Sequence, residues 1–178
     1  MMSPTALRML AVLALGVSAL SACAPTPEPT PTPSPAFASE EEAFAAAEAT
    51  FAEYVDALNH VDFSNPTTFD AVFDVLSGQA SESTKRAFSE LHAEGVRSSG
   101  STKFTWVKEL SADADTGEVR ARVCIDVSGV DVVDEQGASI VAPDRPAHQP
   151  TVVTFSAGAE KASTISDLQN SEEFACPS

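Results

Sequence analysis

From Ser39 onward the apolar positions follow first one period and then another. Phe44, Ala47, Phe51, Tyr54, Val55 and Leu58 recur at steps of three and four, a stripe that predicts one long helix. Ser39 ahead of Glu40, Glu41 and Glu42 is a capping-box start, with acids where the helix dipole favours them. This helix should end near His60. Asn65-Pro66 then offers a cap and a first-turn proline, and Phe69, Val72, Phe73 and Leu76 form a second short stripe that stops at Gly78. A third helix is expected over 81–94, burying Ala87, Phe88 and Leu91 and stopped by Gly95.

Beyond Gly95 the period drops to two. Thr102, Phe104, Trp106, Lys108 and Leu110 alternate with Lys103, Thr105, Val107 and Glu109, which predicts a strand with Phe104 and Trp106 on one face. After a turn at 112–117, Val119, Ala121, Val123, Ile125 and Val127 line one face of a second strand. Arg120, Arg122, Cys124 and Asp126 line the other. Short strands at 130–133 and 139–141 flank a hairpin turn at Asp134-Glu-Gln-Gly137. Further strands are expected at 151–156 and, more weakly, at 164–168. Helices first and meandering strands after predict an α+β domain, N-terminal helices packed on one face of an antiparallel sheet.

Charge then excludes partners. The 178 residues carry 10 Lys and Arg against 26 Asp and Glu, a net −16. Nucleic-acid binding needs cations to displace the counterions of phosphates, so it is not expected. A polybasic membrane patch is excluded on the same ground.

The N-terminus carries an address. Arg8 precedes the 12-residue apolar run Met9–Leu20, too short to span a bilayer that needs about 20 apolar residues. This is the layout of a secretory signal peptide. Leu20-Ser21-Ala22-Cys23 resembles the lipobox of bacterial lipoproteins. In that family the Cys thiol receives a diacylglyceryl group, the signal is cut just before it, and the new amine is often acylated. The resemblance implies lipidation of Cys23 and anchoring to the outer face of the cell membrane, the lipid bilayer being the first partner. The alternative is an ordinary signal in which Cys23 is incidental. Six of the 12 prolines follow in Ala24–Pro35, where alternating Pro favours extended polyproline II. The expected organisation is a signal at 1–22, a lipidated Cys and Pro-rich stalk at 23–39, and one domain at 40–178. Cleavage would also remove Arg8, leaving the mature chain more acidic and repelled from anionic headgroups.

Ala49-Thr-Phe-Ala-Glu-Tyr-Val-Asp-Ala-Leu58, Phe88-Ser-Glu-Leu-His-Ala-Glu-Gly95 and Val123-Cys-Ile-Asp-Val-Ser128, in this order of elements, resemble the nuclear-transport-factor-2-like, or cystatin-like, fold. The whole chain looks like small lipoproteins of high-GC Gram-positive bacteria that carry this domain. The resemblance implies a curved sheet forming a cone with the helices. That cone serves isomerases, dehydratases, cyclases, binding domains and assembly modules alike, so the site must decide.

With Cys23 lipidated, Cys124 and Cys176 remain as an even pair in an oxidising compartment, and a disulfide between them is expected. A buried Cys124 with a free Cys176 is the alternative. Tyr54, Phe104 and Trp106 are expected in the apolar interior, either filling it or lining an open pocket. Relatives resembling ketosteroid isomerase combine an Asp base with a Tyr in the cone. Here Asp126 stands at i+4 from Arg122, and an ion pair between them is the plainer reading. His60, His92 and His148 are not spaced as zinc ligands, and Asp113-Ala-Asp-Thr-Gly117 lacks the closing Glu of a calcium loop. No metal, cofactor or catalytic set is expected. The expectation is a tethered, non-catalytic domain binding a small ligand or an envelope partner. The alternative is a cofactor-free isomerase or dehydratase using the cone.

Overall fold

The computed structural model describes residues 34–177; the signal, Cys23 and most of the stalk lie outside them. Within that range α1 spans Glu40–Asn59. The Ser39 hydroxyl accepts the Glu42 N–H at 3.2 Å, and the Glu42 carboxylate accepts the Ala38 N–H at 3.0 Å, a reciprocal cap. Ala43, Ala47, Phe51 and Val55 are its buried stripe. A 3-10 turn at Pro66–Phe69, capped by Asn65, leads into the single turn α2, Asp70–Phe73. Helix α3 spans Gly78–Ala93.

Two of the helical expectations change. Gly78 does not end a helix; it opens α3. Its φ of +49° turns the chain just after Ser77 N–H has bonded Ile165 O at 2.8 Å, and a Cβ there would lie 3.2 Å from the Ser166 carbonyl oxygen. Ala80 and Phe88 are its buried positions, and Ala87 faces solvent.

Four strands form an antiparallel sheet in the order β2 (Lys103–Ala112), β3 (Val119–Asp126), β5 (His148–Ala157), β6 (Ser163–Asn170). A separate ribbon pairs β1 (Arg97–Ser99) with β4 (Asp131–Val133). Strand β1 is too short and too exposed for periodicity to reveal, so sequence reading leaves it as connection. The turn at Asp113–Gly117 forms as expected. The Asp113 carboxylate accepts the N–H groups of Asp115 and Thr116, at 2.9 and 3.0 Å. The outer edge of β6 is occupied by 75–77, through Ile165 N–H to Val75 O and a parallel bridge with Leu76.

The core lies between the helices and one face of this sheet. Phe51, Val72, Val119, Val123, Val153, Phe155 and Ile165 are fully buried there. Phe63, Phe69 and Phe88 stack around one another with centroids 5.0 to 5.9 Å apart, edge-on or tilted. The core also takes in a residue expected in the stalk. Phe37 is buried, and Ala36 and Phe37 donate to the carbonyls of Asp115 and Ala114. The compact unit therefore begins at Ser34, several residues before Glu40. None of the helices among the described residues is long and apolar enough to cross a membrane.

Candidate functional site

Tyr54 and Phe104 do belong to the interior. Both pack against Phe51, Tyr54 at 5.9 Å tilted and Phe104 at 5.3 Å edge-on. Burial in these apolar surroundings pushes the Tyr54 phenol up to about 12. No hydrogen bond to its hydroxyl forms among the described residues, so the satisfied hydroxyl usual for a core tyrosine is not seen here.

Trp106 corrects the expectation that it shares that interior. Phe104 is registered with Ile125, whereas Trp106 is registered with Cys124, the next residue of β3 and one of opposite face. Thr105 is the extra residue of a β-bulge, and one extra residue reverses the inside-outside alternation as far as the second register shift, between Glu109 and Ser111. After the bulge Val107, registered with Val123, turns to the core, and Trp106 and Lys108 turn outward.

The candidate acids and bases have partners and positions of their own. Asp126 lies on the outer face, in a cross-strand row with Lys103 and His148. The Ser128 hydroxyl and N–H hold its carboxyl below the usual carboxylate range, and the charges of His148 and Lys103 push the same way. The expected ion pair with Arg122 does not form, since four residues along a strand span about 13 Å. His60 Nδ1 lies 2.7 Å from Asp56 O, and His92 Nδ1 lies 2.6 Å from Phe63 O. His148 is the first residue of β5. No cluster of His, Cys, Asp and Glu among the described residues has metal-binding geometry.

Cys124 and Cys176 are joined by a disulfide, with Cα atoms 5.6 Å apart. The bond brings the C-terminal tail across the outer face of β2 and β3. There Phe174 packs on Trp106, centroids 5.9 Å apart, and the Arg122 guanidinium lies over the Phe174 ring at 5.4 Å. Trp106, Lys108 and Arg122 from the sheet, with Phe174, Ala175 and Pro177 from the tail, line an open groove of about 360 Å³. The Trp106 indole N–H is buried without an acceptor among the described residues. Of the groove's six residues, sequence reading singled out only Trp106. The usable signal was the cysteine pair: a tail tied to Cys124 must lie on the outer face, beside whatever neighbours that cysteine.

The solved structures this chain resembles include a candidate aromatic ring hydroxylase from Novosphingobium aromaticivorans. It is 12% identical, covers 74% of this chain and 94% of its own, and has a TM-score of 0.51. Others are a protein from Catenulispora acidiphila, with 17% identity, 71% and 90% coverage and a TM-score of 0.46, and a ketosteroid isomerase-like protein from Erwinia carotovora atroseptica, with 17%, 71% and 93%, and 0.46. No protein-family profile matches the sequence, and no curated protein matches it. At such identities the likeness is one of fold. The domain has the α+β, nuclear-transport-factor-2-like arrangement, helices on a curved antiparallel sheet.

Proposed function

We propose that this chain is a lipoprotein tethered to the outer face of the cell membrane, and that its domain binds a small ligand or an envelope partner without catalysing a reaction. The anchor follows from the Leu20–Cys23 lipobox resemblance and the short apolar run before it. Two acyl chains, at about 0.8 kcal/mol per buried methylene, hold a protein stably on a bilayer. Residues 24–33 then act as a spacer of 10 residues, reaching at most about 31 Å.

The observation that carries the non-catalytic reading is the separation of Tyr54 from Asp126. Tyr54 packs on Phe51 on the core side, and Asp126 faces outward on the other side of the sheet. A Tyr–Asp pair acting on one substrate must converge within hydrogen-bond reach of the same atoms. These two side chains diverge. Phe51 and the residues packed on it form the core, and the groove at Trp106 is an open face that a ligand can reach.

The test has two arms. Cys23→Ala should remove the protein from the membrane fraction; persistence there would refute the anchor. Tyr54→Phe should leave ligand or partner affinity within about 1.5 kcal/mol, the value of one neutral hydrogen bond. A loss of turnover of about 100-fold or more on a carbonyl substrate would make the protein an enzyme.

A further inference from the structure

We infer that the groove on the outer face of the sheet is a site for a small aromatic carboxylate, with the disulfide-tied tail as one of its walls. The inference rests on the binding reading above and gives that reading a ligand class.

The charges point to an anion. Lys108 and Arg122 are direct cross-strand partners, and like charges so placed repel. In a chain with 26 acids and 10 bases, a carboxylate between them would be easy to supply. Yet the ion pairs among the described residues are His60–Asp56 and Lys161–Glu53, neither near this site. Two adjacent cations lining a groove, with no carboxylate among the described residues in an ion pair with them, are complementary to a ligand that brings its own. Arg122 is also prepared for the task. Its guanidinium is held over Phe174, which limits the freedom it must lose, and its planar fork matches a carboxylate at two points. The indole N–H of Trp106, on a lining residue, is buried without an acceptor among the described residues.

The rest of the lining asks for an apolar, flat body. The tilted rings of Trp106 and Phe174, with Ala175 and Pro177, offer faces and edges to an aromatic ring. The volume of about 360 Å³ lies at the small end for small-molecule sites. A second copy of the chain is a poorer occupant, because two-fold packing on this face would set the same cations against each other, on a molecule of net −16.

The chain contains one tryptophan, so indole emission reports this groove alone. The full chain is titrated with phenylacetate and with its neutral analogue phenylacetamide at constant ionic strength. Phenylacetate should change the emission saturably and bind at least about tenfold more tightly than the amide, as a charge-assisted pair requires. Arg122→Gln should abolish the preference. Phe174→Ala, which leaves the sheet residues in place, should weaken both ligands. Equal affinities for acid and amide overturn the proposal, as does an absence of saturable binding; either result leaves the tethered binding domain standing. Phenylacetate binding that survives Arg122→Gln but is lost in Phe104→Leu would place the ligand in the interior, and would overturn the proposal as well.

Discussion

Phe104 and Trp106 are two residues apart on β2 and point to opposite sides of the sheet. Phe104 meets Phe51 edge-on in the core, and Trp106 meets Phe174 on the outer face. The bulge at Thr105 thus gives the domain two aromatic clusters, one under the helices and one under the tail. Everything proposed about binding depends on that division.

The centre of the inner cluster should behave as core. Phe51 is completely buried. Phe51→Ala should cost about 3–5 kcal/mol in chemical denaturation, the usual loss for a large buried ring. Ala87→Glu, on the solvent side of α3, should stay within about 0.5 kcal/mol of wild type.

Tyr54 is the chain's one tyrosine, so absorbance near 295 nm follows it alone. Burial raises its pKa from 10.0 to about 12, because the phenolate is the form that desolvation disfavours. Little phenolate should form at pH 10, where an exposed tyrosine is half ionised. A folded-state pKa above the unfolded one means stability that is whole below pH 10 and declines as pH rises through about 12. Titration near 10 in the native protein would show Tyr54 in contact with water.

Acid acts through the turns. The backbone N–H of Thr116 leads the contacts that hold the Asp113 carboxyl below its ordinary 3.8. Folding therefore favours the ionised form, and this contribution is present above about pH 4 and lost as pH falls through the lowered folded value. Asp113→Asn keeps the accepting oxygen and removes the charge. Its urea midpoint should lie below wild type at neutral pH and converge with it in acid.

The Cys124–Cys176 bond closes 52 residues of sequence separation, which the chain-entropy argument values at about 4 kcal/mol. Cys176→Ala should lower stability by a loss of that order. It should also shift the emission of Trp106, since the tail that covers it is released. A stability loss with unchanged emission would mean that the tail stays docked without the bond.

Much of this was readable from the order of residues, and the failures share a cause. The stripe from Phe44 to Leu58, the Ser39 cap and the alternation in β3 are local signals, and each appears in place. Phe37 escaped because its burial depends on the β2–β3 turn, where Gly117 takes φ +72° and a Cβ would press to 2.6 Å from the Ala157 Cβ and 3.1 Å from the Phe37 ring. Trp106 was misplaced because period-two reasoning cannot see an inserted residue; only pairing with Cys124 reveals it. The groove is less local still. It joins β2, β3 and the tail through a bond spanning 52 residues, and Lys108 and Arg122 become neighbours only once the strands are in register.

The measurement that most directly tests the account is native mass spectrometry of the protein purified from its host, comparing wild type with Arg122→Gln and Tyr54→Phe. Binding on the outer face predicts a retained mass in wild type that persists in Tyr54→Phe and disappears in Arg122→Gln. The opposite pattern, a mass that survives Arg122→Gln and is lost in Tyr54→Phe, would put the ligand in the interior and contradict the account.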